Sequence, residues 1–180
     1  MTAFEKVSEK NWAIKHKDSG YDKKLTVKQF KLPNGVTETF ILDDDKDSVQ
    51  IFPITEDKKV ITVVQFRPGS EKEEIELPGG GLEPKEDHAR AALRELLEET
   101  SFTGRLTFIG AQNYSPYSSG KRYMYMATGC YQAAKTLDLD PNEFLKIKLW
   151  TLEEFRDLIQ KGHVRGHDLA YMALDKLDLL

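Results

Sequence analysis

The chain has 180 residues, of which 39% are apolar and 31% charged, with a formal net charge of −4 and a single cysteine. Such a chain can bury the core of one domain and still carry an extension, and the lone Cys130 excludes an internal disulfide. There is no apolar run of about 18 residues to make a helical membrane span, and the opening MTAFEKVSEK lacks the apolar centre of a signal peptide, so a cytoplasmic protein without a membrane partner is expected.

Residues 1–32 hold eight lysines and four acids but no arginine, dispersed rather than clustered. That pattern is read as a solvated surface and not as a nucleic-acid patch. Val7, Trp12 and Ile14 are the early apolar residues, and Leu25–Leu32 then alternates as a strand. Pro33-Asn34-Gly35 makes a turn, and Val36–Leu42 returns as the second strand of a hairpin ending in the acidic turn Asp43-Asp44-Asp45. A core sheet is expected to start with Ser48–Ile54, turn at Glu56-Asp57 and continue through Lys59–Phe66, whose apolar residues on both faces predict a central strand. Arg67-Pro68-Gly69 follows, and Glu74–Pro78 leads into three glycines.

Acidity is concentrated just there. Residues 71–100 contain ten acids against four bases. Gly79-Gly80-Gly81 allows close approach of a ligand to the main chain, and a helix is expected to follow at once, with Pro84 in its first turn and Glu86 and Asp87 at the positive end of its dipole. Ala89, Leu93, Leu96 and Thr100 recur at helical spacing as the packing stripe. Glu95, Glu98 and Glu99 crowd the other face near the C-terminal end, and unit charges about 6 Å apart at an effective dielectric of about 20 repel by roughly 3 kcal/mol. Arg94 can pair with Glu98 across one turn, which leaves Glu95 and Glu99 in need of a counter-charge. Oxygen ligands of this kind suit a hard divalent cation, magnesium or manganese, better than zinc; the plain alternative is a solvated acidic face.

Beyond the helix, Leu106–Gln112 reads as a strand, Asn113–Gly120 breaks it, and Arg122–Ala127 alternates with Met124 and Met126 inward. Cys130 is read as a small core residue. Residues 132–142 form a polar loop carrying Asp138 and Asp140, followed by Glu143 and the strand Phe144–Trp150. Thr151-Leu-Glu-Glu is a capping box opening a helix to about Lys161, which Gly162 ends. A last helix over about Asp168–Leu177 presents Leu169, Met172, Ala173 and Leu177 on one face. His163 and His167 lie in no metal-ligand spacing and are read as surface residues.

The stretch Gly80–Phe102 resembles the signature of the Nudix hydrolases, G-x5-E-x7-R-E-U-x-E-E-x-G-U with U a bulky apolar residue. Gly80, Glu86, Arg94, Glu95, Glu98 and Glu99 match at the required spacing, while Ser101 stands where the pattern has its last glycine. The resemblance implies an α/β fold, an α/β/α sandwich with a mixed β-sheet, in which a loop-helix-loop holds divalent metal against a diphosphate. It implies Glu95 and Glu99 as principal metal ligands, Glu98 as a further or water-mediated one and the carbonyl of Gly79 or Gly80 as another. Arg94 would orient the carboxylates, and Glu86 would support the loop. Glu143 falls where the family has a loop glutamate that binds metal or helps deprotonate water, and it completes the catalytic set.

The segment QFRPG resembles the ADP-ribose branch of the family and implies Arg67 as a phosphate contact, with Glu76 helping to hold metal or substrate. Pro116 falls within about a residue of a proline typical of that branch, beside Tyr117 and Tyr114 as candidate stacking residues. The loop there runs Ser118-Ser119-Gly120-Lys121, where that branch has acidic residues. An N-terminal antiparallel extension, residues 1–44 ahead of a hydrolase domain at 45–180, is similar to the extension through which that branch forms homodimers. The expected activity is therefore magnesium-dependent cleavage of nucleoside diphosphate sugars, including ADP-ribose, to a nucleoside monophosphate and a sugar phosphate. Hydrolysis of nucleoside triphosphates or dinucleoside polyphosphates is the first alternative, and a non-cleaving nucleotide-sugar sensor the second.

Overall fold

A computed structural model describes residues 4–15, 22–133 and 145–180. The chain divides into two compact units, Met1–Asp47 with Gln112–Arg122, and Ser48–Ala111 with Tyr123–Leu180. The boundary expected at 44/45 thus lies close to the start of the second unit, but the 112–122 segment groups with the N-terminal residues.

In the first unit, strands β1 (Glu5–Lys15), β2 (Asp22–Lys31) and β3 (Thr37–Asp43) form an antiparallel sheet in the order β1-β2-β3. The β2–β3 hairpin is the one its turn residues predict. Gly35 takes φ 84°, its amide donates to Leu32 O, and the Asn34 side chain accepts from the Val36 amide. Phe30 and Phe40 meet edge to face across the pair, 5.9 Å between centroids. β1 was not expected as a strand. All 11 of its residues are exposed, and a register shift between Lys6 and Ser8 breaks the alternation that would reveal it. The 112–122 segment is tied to the acidic turn: the Asp43 amide donates to Tyr117 O, the Ser119 amide to Asp43 O, and the Ser118 hydroxyl to Asp45.

The second unit is built on β4 (Ser48–Thr55), β5 (Val60–Arg67), β6 (Lys72–Glu76), α1 (His88–Thr100), β7 (Phe102–Asn113), β8 (Lys121–Gln132), β9 (Lys146–Trp150), α2 (Leu152–Gln160), β10 (Val164–Arg165) and α3 (His167–Lys176). The tips of β7 and β8, at 112–113 and 121–122, belong to the first unit. The sheet runs β10-β6-β5-β4-β8-β7, with β9 paired to β5. β10 is parallel to β6, while β6 and β9 are antiparallel to β5, so the sheet is mixed and β5 is central, as its apolar faces predict.

Alternation along the strands splits the core in two. Val49, Ile51, Ile61, Tyr125 and Ala127 pack with Ala91, Ala92 and Leu96 of α1. Phe52, Ile54, Val60, Met124 and Met126 pack with Phe155 and Ile159 of α2 and with Leu169, Ala170, Ala173 and Leu174 of α3. Odd and even positions of β4 therefore serve opposite faces, which gives the expected α/β/α sandwich. Met124, Met126 and Cys130 are buried, and burial pushes the Cys130 thiol up to about 11. His163 and His167 are exposed.

Several helix details differ from the sequence reading. α1 begins at His88 rather than directly after the glycines, because Asp87 caps it by accepting from the Ala89 and Arg90 amides; Pro84 and Glu86 lie in the preceding turn. Its buried stripe is Ala91, Ala92, Leu96, Glu99 and Thr100, and Leu93 is 39% exposed. Spacings of three and four fit two adjacent stripes of one helix, and here the sheet selects the one lined by alanines, which lets α1 approach closely. In α3, Ala170 and Leu174 are buried and Met172 is exposed. The Thr151 capping box of α2 is formed as expected.

Candidate active site

The loop ahead of α1 is laid along β4 by backbone pairing. The Ile51 amide donates to Pro78 O and the Val49 amide to Gly80 O, both at 2.9 Å. Between them, the Gly79 amide points the other way and donates to Oε2 of Glu99 at 2.8 Å. Two glycines here are required by space. A Cβ at Gly79 would lie 2.2 Å from Val49 O, and one at Gly80 would lie 2.5 Å from Oε1 of Glu95. The first glycine lets the loop lie on the strand; the second leaves room for a carboxylate.

Arg94 is the hub of the acidic cluster. Its guanidinium makes a two-pronged pair with Glu86, Nε to Oε1 and Nη2 to Oε2 at 3.0 Å each, and Nη1 reaches Glu95 at 2.8 Å and Glu98 at 2.9 Å. Nη2 also donates to Gly81 O at 3.1 Å. Helix spacing offers Arg94 a single partner, Glu98, and leaves Glu95 and Glu99 without a counter-charge. The side chain instead lies across the helix entry and serves three carboxylates, because Glu86 in the turn draws its far edge back toward the loop. The bond to Glu86 foremost raises the Arg94 guanidinium above its ordinary value, and the same bond holds the Glu86 carboxyl below its own. Glu99 is buried, with the Gly79 amide as a partner. Turned toward Arg94 and Gly79, the acids do not converge on one point: among the described residues, no three His, Cys, Asp or Glu side chains form a ready-made ligand set.

At the end of β5, Arg67 forks onto Glu76, Nε to Oε1 at 2.6 Å and Nη2 to Oε2 at 2.5 Å. Glu76 is nearly buried, and its bond to Arg67 is the main reason that the guanidinium is raised, with Glu99 contributing through its charge. Arg165 on β10 adds contacts to Glu74 at 3.0 Å and Glu76 at 3.5 Å. Glu95, Glu98, Glu99, Arg94, Gly79, Gly80, Arg67 and Glu76 thus belong to one unit, around one edge of α1. Pro116 and Tyr117 belong to the other unit, where they line a groove of about 430 Å³ with Phe4, Lys28, Phe30, Phe40 and Leu42. Glu143, Asp138 and Asp140 lie outside the described residues.

Sequence reasoning missed Arg165, since a two-residue parallel strand has no periodicity to detect. It also missed the aromatic anchor at the start of α1. His88 stacks on Tyr123 at 4.4 Å and its Nδ1 bonds the Tyr125 hydroxyl, with Phe108 alongside. A histidine two residues after Glu86 and tyrosines at alternate strand positions were the available signal.

Comparison with known proteins gives the same reading. A family model described as NUDIX domain matches residues 44–170. An ADP-ribose pyrophosphatase of Bacillus subtilis (strain 168) is 32% identical over 149 residues, covering 82% of this chain and 80% of that protein. A methanol dehydrogenase activator of Bacillus methanolicus is 32% identical over 148 residues, covering 81% and 80%. A crystal structure of an ADP compounds hydrolase superposes with a TM-score of 0.78 at 23% identity, over 100% of this chain and 98% of that one, a likeness of fold. With the family model spanning most of the chain and the signature residues gathered on the loop and helix as described, the chain belongs to the Nudix hydrolase family.

Proposed function

We propose that the chain is a magnesium-dependent pyrophosphohydrolase of nucleoside diphosphate sugars, ADP-ribose among them, releasing a nucleoside monophosphate and a sugar phosphate. The observation that carries this reading is the Arg94-centred cluster of Glu86, Glu95 and Glu98 set against the glycine loop. The resemblance of the chain to a protein named as an ADP-ribose pyrophosphatase supports the substrate class.

The donor set suits a hard divalent ion. It consists of carboxylate and carbonyl oxygens, and the absent side chain at Gly80 keeps clear the space into which Glu95 projects. Glu95, Glu98 and Glu99 would hold the ion. Of the two candidate carbonyls, that of Gly80 is engaged by Val49, whereas the Gly79 amide faces Glu99, and in extended backbone the carbonyl of a residue lies on the same side as its amide, which favours Gly79. An ion held there would neutralise charge on the diphosphate and polarise a phosphoryl oxygen.

The chain's own residues do the positioning. Arg94 holds Glu95 and Glu98 side by side at the helix ahead of binding, and an ion would draw oxygens of both from it. Arg67, oriented by the buried Glu76, presents a planar donor to a phosphate. Glu143 is assigned to deprotonation of the attacking water, and Pro116 and Tyr117 to the nucleoside or sugar. The exposed β1, with Val7, Trp12 and Ile14 each more than half exposed, supports a homodimer formed through the N-terminal sheet.

The test is mass spectrometry of the products from ADP-ribose, ADP-glucose, GDP-mannose and UDP-glucose in heavy-oxygen water with magnesium, alongside nucleoside triphosphates and dinucleoside polyphosphates. A nucleoside monophosphate and a sugar phosphate, one of them labelled, are expected from at least one nucleotide sugar, with Glu99→Gln nearly inactive. Turnover confined to triphosphates, or a fully active Glu99→Gln, would refute the reading.

A further inference from the structure

Strand register shows which side chains share the face covered by α1. Ile61 is buried against α1, and Val63, Gln65 and Arg67 follow it at alternate positions of β5. Antiparallel pairing sets Val63 beside Glu76 and Gln65 beside Glu74, and the parallel pairing of β10 sets Arg165 beside Glu76. Neighbours in register point to one face. Arg165 therefore projects from the same face of the sheet as Arg67 and Glu76, the face on which Glu95 and Glu99 stand. The backbone agrees: Arg165 O accepts from the Leu77 amide at 3.3 Å, two residues before Gly79, whose own amide holds Glu99.

Arg165 is not needed for charge balance at Glu76. That carboxylate is already met at both oxygens by Arg67, at 2.6 and 2.5 Å, and Arg165 approaches one of them only at 3.5 Å. Its shorter contact is with Glu74, at 3.0 Å, and the Arg165 side chain is 60% exposed. Glu74 keeps only 14% of its side chain exposed, but the pair is open to solvent on the Arg165 side, so the guanidinium can turn to another anion without being drawn out of the protein. A diphosphate approaching Glu95, Glu98 and Glu99 meets like charge, and Arg94 is committed to three carboxylates of its own. A second guanidinium beside Arg67 offers the planar, multi-donor surface that phosphate oxygens favour.

We propose that Arg165 is a substrate-binding residue that exchanges Glu74 for a phosphate of the diphosphate, and that Glu74 holds it aside until substrate arrives. The proposal rests on the reading of the substrate as a nucleoside diphosphate derivative. Its test uses inorganic pyrophosphate at fixed free magnesium, measured by calorimetry on the full chain, so that it does not depend on turnover.

Arg165→Ala is expected to weaken pyrophosphate binding about tenfold, or about 1.4 kcal/mol. Arg165→Lys, which keeps the charge and the stem, should fall between. Glu74→Gln should tighten binding about threefold, the scale of a pair open to solvent on one side, and that gain should vanish in an Arg165→Ala background, as expected for groups that act through one another. Steady-state hydrolysis of ADP-ribose should show the Arg165→Ala loss mainly in KM. Unchanged pyrophosphate affinity in Arg165→Ala, no measurable pyrophosphate binding by the wild type, or an equal effect of Glu74→Gln in both backgrounds would overturn the proposal. A wild type that binds pyrophosphate but does not cleave ADP-ribose would refute the substrate reading alone, leaving the Arg165→Ala comparison to decide the role of Arg165.

Discussion

Gly79 and Gly80 are adjacent, yet replacing each by alanine should fail in different ways, because a new methyl group meets different neighbours. At Gly80 the Cβ would lie 2.5 Å from Oε1 of Glu95 and 2.6 Å from its Cδ and Oε2, where ordinary contact begins near 3.4 Å. The carboxylate has to retreat by about 1 Å, which stretches its 2.8 Å bond from Arg94 beyond hydrogen-bonding range. Glu95 is the mobile end of a side chain, so the fold loses little more than one partly exposed charged bond, about 1 kcal/mol, or about 2–4 °C in Tm for a chain of this size. Catalysis should suffer more: a misplacement of about 1 Å in a positioned group costs on the order of 100-fold in rate, about 2.7 kcal/mol on the barrier. At Gly79 the obstacle is Val49 O, 2.2 Å away, with the Gln50 Cα at 2.9 Å, and neither can rotate aside. Gly79→Ala must therefore pull the loop from β4 and lower Tm by about 8 °C or more, the scale of an overpacked core. Differential scanning calorimetry with hydrolysis assays over a magnesium series separates the two. A Gly80→Ala protein that keeps turnover within about threefold of wild type, or a Gly79→Ala protein that melts normally, would refute the reasoning.

Ser101 ends α1 at φ 57°, a left-handed conformation, where the family signature has glycine; Ser101→Gly should raise stability by about 1 kcal/mol in urea unfolding. The Cys130 thiol, raised to about 11 from 9.0 by burial, should react with disulfide reagents at pH 8 far more slowly than in the denatured chain. Because its native value is the higher one, the Cys130 contribution to stability is whole below pH 9 and is lost as pH rises toward about 11, by at most about 2.7 kcal/mol; Cys130→Ala should flatten that limb of the pH profile. Chelation should abolish turnover but leave the fold intact, since Arg94 and the Gly79 amide already engage the acids; magnesium at about ten times its Kd should raise stability by only about 1.4 kcal/mol. A chelated protein that unfolds cooperatively at room temperature would contradict that balance.

Most of the fold was legible in the chain because its signals are local. The alternation in β4 and β5, the Asn34-Gly35 turn and the Thr151 capping box each depend on neighbours a few residues away, and each appears where the sequence puts it. What escaped depends on distant partners. The stripe α1 buries is chosen by the sheet beneath it, so Ala92 lies inward and Leu93 outward although both fit a helical repeat. β1 exists through pairing with β2 and buries nothing of its own, so no apolar pattern marks it. β10 is two residues long and pairs only with Ile75 and Glu76 of β6, too short a stretch to show a period.

The acidic cluster shows how far charge arguments from sequence reach. Spacing on a helix sets Glu95, Glu98 and Glu99 within one turn of each other and calls for a counter-charge, but it offers Arg94 only the partner one turn away. The fold supplies what spacing omits: the glycine loop returns Glu86 and Gly81 O to the same guanidinium, and the Gly79 amide to Glu99. Repulsion among the acids is therefore eased before any ion binds, although one guanidinium among Glu86, Glu95, Glu98 and Glu99 leaves the cluster negative. An ion binding here would meet that remaining charge and compete with Arg94 for oxygens of Glu95 and Glu98. That competition sets the direction of one further dependence: weakening Arg94's hold, as Arg94→Lys does by removing the fork, should loosen the orientation of the acids without depriving the site of positive charge. Turnover should then fall while magnesium affinity holds or rises, because what is lost is alignment and a competitor for the oxygens, not attraction.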